Sequence, residues 1–384
     1  MHYLNTAIID TSRRDTPTSL GNTDMSLTAM QVMQKFHKLS PDRSDTYKKM
    51  QKSYLAGKVR LGLFTDSETV IDCDQKILGK YRKRGYFDGQ EDGSYKDIHN
   101  EDRVIRLKAR NLDAGTRLFG TWRNTASVYK IDESIAPQAL SSLIPLDTPS
   151  DIYMNLPEWA VYFEMPTSSN SVVNIRNLID ENGRDTEETS NHKVLGFWAT
   201  HDRGIHEGRE HTCLDIFWHF DLQDDARLET MFLAPFRLLM TPNMTVVDSV
   251  TAGYGTADYL HGNSVIRQAL SLLLWLCVEE PDVTNIKGVK MSRKDIKLPR
   301  YARSKQSGAF VPPMQERHLE IAKRMGGEVR EWNKEIDADQ ASSIAAKRKA
   351  PHIRRGHWTG VWIGSGASKD YKVYWQKPLF INAK

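Results

Sequence analysis

The sequence predicts an α+β fold with a helical N-terminal part, a central mixed or antiparallel sheet with a buried core helix, and a C-terminal helix followed by a β-hairpin. Two kinds of pattern predict this arrangement. Apolar residues three or four positions apart indicate helices, and short alternating or β-branched and aromatic runs indicate strands. The chain has 384 residues, 39% of them hydrophobic and 27% charged, which lies in the globular range.

The first 145 residues are predicted to be mainly helical. Residues 1–45 form a polar leader and a first helix, and residues 46–145 form a helical region with a Gly-rich, charged, flexible loop at 79–100. The last long helix of this region is expected to end before Pro137. Its predicted apolar face consists of Leu118, Phe119, Trp122, Ala126 and Tyr129.

Residues 146–285 are predicted to contain the sheet and its core helix. Asn263 can cap a helix, and the helix predicted between it and Pro281 has almost no polar face. We therefore expect this helix to lie at the centre of the core. Strands are predicted for three aromatic and β-branched runs, Trp159–Glu164, Val194–Thr200 and Thr212–Asp221.

Residues 286–384 are predicted to form a basic helix and a terminal hairpin. A basic connection at 287–312 precedes a long helix that is predicted to begin at about Pro313. Two alternating runs, Trp358–Ile363 and Tyr371–Trp375, are joined by the sequence GSGASKD, which is typical of a hairpin connection.

The charge is divided unequally along the chain. Residues 286–384 contain 22 Lys and Arg against 9 Asp and Glu, whereas the preceding residues contain 31 against 40. Such a division indicates that the last quarter faces a polyanion and that the earlier part faces something basic or neutral. The alternative is that both groups of charges lie on ordinary solvent-exposed surfaces that bind no partner.

The sequence also predicts a cytoplasmic protein without cofactor or metal. Its longest apolar run, Leu270 to Val278, is shorter than the roughly 20 residues that cross a bilayer, and the N-terminus has no secretory signal. The three cysteines lack CxxC spacing, which argues against disulfides and structural zinc. The histidines at His201, His206 and His211 match no zinc spacing either.

The C-terminus carries a resemblance to a known family. From Pro351 to Asn382 the residues are PHIRRGHWTGVWIGSGASKDYKVYWQKPLFIN, which closely resembles the tail of a type V-A anti-CRISPR family. Members of this family come from phages or plasmids and lower the amount of the type V CRISPR effector nuclease. Further similar stretches are YKKMQ at Tyr47, GTWRNTASVYKIDESI at Gly120, DTPSDIYMNLPEWAVYF at Asp147, LLLWLCVEEPDV at Leu272 and SGAFVPP at Ser307.

The resemblance implies an unusual mode of inhibition. Family members recognise the nascent N-terminal peptide of the effector nuclease and trigger loss of the messenger RNA that is being translated. The implied partners are therefore this peptide and, in addition, the mRNA or the ribosome. Two alternatives remain open, which are a ribonuclease acting directly on the transcript and a stoichiometric inhibitor of the completed effector.

The basic and aromatic tail is the candidate surface for RNA or ribosome contact. Cations attract phosphates, and aromatic faces can stack on unpaired bases. The alternative is a hairpin whose tryptophans close the core. The candidate contact residues are His352, Arg354, Arg355, His357, Trp358, Lys372 and Tyr374.

The same segment supplies weak catalytic candidates. His352 or His357 could act as general acid or base while Arg354 or Arg355 stabilises a phosphorane. Small RNA-cleaving toxins use these residue types, so the sequence leaves a metal-free ribonuclease open.

Candidate peptide-binding residues lie in the acidic part of the chain. An arginine offers a planar fork of donors to a peptide carboxyl or backbone group. An exposed strand edge beside a carboxylate and an aromatic could receive an extended peptide by strand addition. The candidates are Arg123, Asn124, Asn155, Glu158 and Trp159, with a core role as the alternative for Trp159.

Overall fold

The computed structural model of the protein describes part of the chain. The first part of the predicted helical region, residues 46–114 with the predicted loop at 79–100, lies outside the described residues. The described residues are 27–39, 115, 118–119, 121–122, 125–169, 171–176, 189–206, 209–220, 235–241, 243–261, 265–292, 295–296, 302–303, 310–311, 315–341, 351–365 and 369–381.

A mixed sheet of eight described strands forms the centre of the protein, and the predicted α+β class is confirmed. The strand order is β6-β5-β4-β2-β1-β10-β7, with β3 paired to β4. Strand β1 is parallel to β2 and β10, and the remaining pairs are antiparallel. The strands are β1 (Ser127–Ile131), β2 (Ala160–Glu164), β3 (Val172–Arg176), β4 (Thr189–His206), β5 (Arg209–Phe220), β6 (Phe236–Met240), β7 (Val283–Asn285) and β10 (Arg317–Ile321). The short strands β8 (Ala302–Arg303) and β9 (Phe310–Val311) pair separately.

The three strand runs predicted for the middle of the chain are confirmed as β2, β4 and β5. Burial of β5 extends further than alternation alone indicates, because Asp215 and His219 on its polar face are as buried as Leu214 and Ile216 on its apolar face. Both faces of the sheet are therefore covered at this point. A polar side chain buried there requires a hydrogen-bonding or ionic partner.

Helices cover the sheet. The described ones are α1 (Ala29–Leu39), α2 (Ala136–Ser141), α3 (Val246–Tyr254), α4 (Val265–Cys277) and α5 (Lys323–Ala341), with a 3-10 helix at Ser150–Asn155. Every residue of α4 except Gln268 is buried, so the predicted central core helix is confirmed. Its one cation, Arg267, donates to the carbonyl oxygens of Ser141 and Ser142, each at 3.0 Å.

Two predicted helical stretches contain strands instead. The helical turn before β1 ends at Ala126, whose φ of 47° is left-handed and whose N–H bonds to the Trp122 carbonyl at 2.8 Å. Tyr129, predicted on that helix, therefore lies in β1. The second long helix begins at Lys323, and Leu319 lies in β10 rather than on it. Parallel pairing of β1 with β10 outweighs the local helical spacing in both places.

The predicted C-terminal hairpin is confirmed and is longer than expected. Strands β12 (His357–Ile363) and β13 (Asp370–Gln376) form its seven pairs. Strands β11 (His352–Arg354) and β14 (Leu379–Ile381) continue the ladder in the same register beyond a short break. We call these four strands the C-terminal ribbon.

Within the described ranges, no helix has the length and apolar character needed to cross a membrane.

Candidate functional site

One face of the C-terminal ribbon is fixed to the protein core. Trp358 is 4% exposed, and its indole packs against Trp275 of α4 and against Trp375 across the ladder, with ring centroids 5.4 and 5.1 Å away. The Trp358 indole N–H donates to Ser271 Oγ at 2.9 Å. Ser271 in turn donates to the Ala139 carbonyl at 2.8 Å, so the ribbon, α4 and α2 form one connected unit.

Helix α2 and the loop that follows it hold the same face of the ribbon. The backbone N–H of Gly356 donates to Gln138 Oε1 at 2.7 Å, and that of Trp358 donates to Ser142 Oγ at 3.2 Å. Near the tip, the Tyr371 hydroxyl donates to Asp147 Oδ1 at 2.9 Å. Burial raises the pKa of Tyr371 to about 12, so this hydroxyl keeps its proton at neutral pH.

The opposite face of β12 and β13 is open to solvent. Strand alternation places Thr359 opposite Tyr374 and Val361 opposite Lys372 on this face. Tyr374 is 40% exposed. Lys372 Nζ lies 2.9 Å from Glu279 Oε2, and this contact raises the pKa of Lys372. His352, Arg354, Arg355 and His357 are also exposed.

The structure divides the predicted RNA-contact residues into two groups. Trp358 is buried, so the prediction that it contacts RNA is wrong. Its ring packs in the core and cannot stack on a base. His352, Arg354, Arg355, His357, Lys372 and Tyr374 lie at or near the surface, and their contact with RNA or the ribosome stays a prediction.

The catalytic candidates are not gathered into one centre. His352 pairs with Ile381 in β11–β14, whereas His357 pairs with Gln376 in β12–β13. Five residues of extended chain span roughly 16 Å, so the two histidines would not act together on one phosphate. A catalytic role for His352 or His357 alone, with Arg354 or Arg355, stays a prediction.

At the predicted peptide site, the structure has a buried polar network centred on Glu158. Its carboxylate accepts hydrogen bonds from Thr125 at 2.6 Å, Ser127 at 2.8 Å and Tyr129 at 2.9 Å. Arg317 Nη2 donates to the same carboxylate at 2.6 Å. Burial raises the pKa of Glu158, while Arg317 and the three hydroxyl groups act in the opposite direction.

This network corrects the predicted peptide site. Strand β2, which follows Glu158, is paired with β1 on one side and β4 on the other, so it has no free edge. The prediction that a peptide adds to this strand is therefore wrong. Glu158 and Trp159 are buried, which leaves neither on a peptide-facing surface. Asn155 is exposed at the end of the 3-10 helix, and Arg123 and Asn124 lie outside the described residues.

The histidine- and acid-rich hairpin β4–β5 contains structural contacts. Arg237 of β6 donates to Asp202 at 2.9 Å and to Asp215 at 2.7 and 2.6 Å. His219 Nδ1 lies 2.7 Å from the Tyr162 hydroxyl, and burial lowers the pKa of His219 to about 4. In the part of the chain that the structure describes, no cluster of His, Cys, Asp and Glu could hold a metal ion.

Two arginines that organise these networks, Arg317 and Arg237, were not predicted from the sequence. Arg317 lies 159 positions from Glu158, and Arg237 lies 22 positions from Asp215. Neither separation corresponds to a local motif. Glu158 was predicted as a peptide-binding residue, and both ion pairs could be assigned only from the sheet order.

The chain is similar to known proteins over most of its length. A family model described as "AcrVA2-like: Anti-CRISPR type V subtype A2 family" matches residues 129–383. Among solved structures, the crystal structure of AcrVA2 is similar, with 29% sequence identity and a TM-score of 0.64. The similarity covers 91% of this chain and 97% of that chain. Among curated proteins, none matches the sequence.

The fold and these matches define the protein as a type V anti-CRISPR protein. The chain belongs to the AcrVA2-like family, the anti-CRISPR type V subtype A2 family. The family resemblance found in the sequence is therefore confirmed.

Proposed function

We propose that this protein lowers the amount of the type V-A CRISPR effector nuclease by recognising its nascent N-terminal polypeptide and triggering loss of its mRNA. Family membership supports the target. The observation that carries the two-part mechanism is the C-terminal ribbon, whose inner face is fixed to the core by Trp358 while Arg354, Arg355 and Tyr374 face solvent.

The division of charge supports two separate contact surfaces. The last quarter has an excess of 13 positive charges, from 22 Lys and Arg against 9 Asp and Glu, and would contact mRNA or ribosome. The acidic earlier part would contact the peptide. Because both ligands belong to one translating complex, two weak contacts reinforce each other through effective concentration.

The peptide-binding part of the proposal rests on fewer residues than the sequence indicated. Asn155 is exposed and stays a candidate, together with Arg123 and Asn124. Glu158 and Trp159 would act indirectly, by fixing the segment that precedes β2. In this role they would support a recognition surface without touching the peptide.

Recoding the start of the nuclease gene tests the proposal. The first codons are fused to a reporter, and reporter mRNA is measured with and without the protein. Missense recoding that changes the peptide should abolish mRNA loss, whereas synonymous recoding should preserve it. Loss that follows the nucleotide sequence instead of the peptide would refute peptide recognition.

Two purified-component assays cover the alternatives. Cleavage of labelled transcript without ribosomes, abolished by His357→Ala, would establish a ribonuclease in place of the proposed mechanism. Loss of activity of preassembled effector on addition of the protein would establish a stoichiometric inhibitor. The proposal expects neither result.

A further inference from the structure

Tyr374 is an aromatic side chain that the ribbon turns away from the core. It lies opposite Thr359, and its neighbours in β13, Val373 and Trp375, face inward onto the core. With 40% of its surface exposed, the ring has an accessible face. Seven cross-strand pairs hold the two strands, so the backbone that carries the ring is fixed before any ligand arrives, which lowers the entropic cost of binding.

Uncompensated positive charge lies on the same ribbon. Arg354 and Arg355 are exposed, and in the described part of the chain neither forms an ion pair with a carboxylate. From residue 342 to residue 384 the sequence contains nine Lys and Arg and one acid, Asp370. Lys372 differs because Glu279 already pairs with it. The two arginines are therefore the better candidates for contacts with phosphate.

We infer that the exposed surface of the C-terminal ribbon binds single-stranded RNA, with Tyr374 stacking on one base and the exposed Arg354 and Arg355 contacting the phosphate backbone. The inference rests on the proposed function, since it names the chemical form of the RNA that this part of the chain would hold. It also assigns the stacking role to Tyr374 and removes it from Trp358.

The combination of a ring and cations favours a single strand over other polyanions. A duplex covers the faces of its bases, so it could use the arginines but not the ring. An acidic peptide likewise offers carboxylates and no base to stack. Single-stranded RNA is the ligand that uses both features, because every base has a stacking face and every nucleotide a phosphate.

Binding of a labelled 12-nucleotide oligouridine to the full-length protein, followed by fluorescence anisotropy, tests the inference. Tyr374→Leu should weaken binding by about tenfold or more, the range that loss of one stacked base produces. Tyr374→Phe keeps the ring and should bind like the unmodified protein. Trp362→Leu is the matched control, because Trp362 is also exposed but projects from the other face of the hairpin.

The phosphate contacts have their own readout. The double variant Arg354→Gln, Arg355→Gln should weaken binding and reduce the slope of log affinity against log salt by about 1.4, or 0.7 for each lost contact with a single strand. Arg324→Gln on α5 removes an exposed arginine distant in sequence and should leave the slope unchanged.

Three results would overturn the inference. These are equal binding by Tyr374→Leu and the unmodified protein, equal affinity for a 12-base-pair RNA duplex, and equal competition by a 12-residue oligoglutamate. Failure of the inference and failure of the proposed function are distinguishable. The anisotropy assay contains no nuclease peptide, and the recoding experiment reports peptide dependence whatever the ribbon binds.

Discussion

Arg317 in β10 donates to the buried carboxylate of Glu158 at 2.6 Å and so joins two segments that lie 159 positions apart. The same guanidinium donates to Ser127 Oγ at 2.8 Å and to the Ile296 carbonyl at 2.7 Å. Glu158 and Arg317 therefore tie β1, β10 and the entry of β2 together on the interior side of the sheet.

Removing the charge of Glu158 should destabilise the protein strongly. Glu158→Gln leaves Arg317, whose side chain is 15% exposed, without its counterion, and breaking a buried pair costs about 3–5 kcal/mol. Urea unfolding would measure the change. Lys334→Ala breaks an ion pair whose side chains are 72% and 65% exposed, and this control should change stability by less than about 1 kcal/mol. Equal effects of the two substitutions would contradict the structural role of Glu158.

Trp358→Ala should destabilise the protein by about 3–5 kcal/mol, because it removes a large side chain packed against Trp275 and Trp375. Trp362→Ala should cost far less, since Trp362 is 50% exposed. Thermal or urea unfolding distinguishes the two. A small loss for Trp358→Ala would mean that the ribbon is not anchored through this ring.

Two adjacent glycines in α5 should respond oppositely to the same substitution. A methyl group at Gly326 would overlap the carboxylate of Asp132, which pairs with Arg330 at 2.7 Å, so Gly326→Ala should destabilise the protein. At Gly327 the nearest atom to a methyl group, Arg330 Nη2, is 3.9 Å away. Gly327→Ala should therefore add about 0.5–1 kcal/mol through helix propensity. Urea unfolding of both variants measures the difference, and stabilisation by both would refute the close approach of Asp132.

Stability should fall as the pH is lowered through the range in which His219 titrates. Its folded-state pKa of about 4 lies below the usual value of 6.5, so the unfolded chain binds more protons between these values. Neutral His219 contributes on the order of 3 kcal/mol to the free energy of unfolding. This contribution is complete above pH 6.5 and declines as the pH falls towards 4.

The control for this pH effect is His219→Gln, which keeps a polar group beside the Tyr162 hydroxyl but cannot titrate. Its unfolding free energy, measured by urea titration at pH 7, 6 and 5, should depend less on pH than that of the unmodified protein. Parallel curves for the two proteins would show that other groups cause the acid sensitivity.

Part of the candidate site was predictable from sequence. The basic ribbon and its hairpin follow from alternation around GSGASKD, but the burial of Trp358 and the exposure of Tyr374 do not. Alternation places Trp358, Trp362, Tyr371 and Trp375 on one face of the hairpin and Tyr374 on the other, but it does not say which face is covered. The position of α4 beneath one face decides which rings are covered.

The sequence by itself determined the α+β class, the strands β2, β4 and β5, the buried helix α4 and the family. These features depend on local periodicity or on long matching stretches. Only the tertiary structure decided that Arg317 lies in a strand, that Glu158 is its partner and that β2 has no free edge. The reason is physical, because alternation along one strand identifies its two faces, whereas the strands beside it and the layer that covers it come from distant parts of the chain.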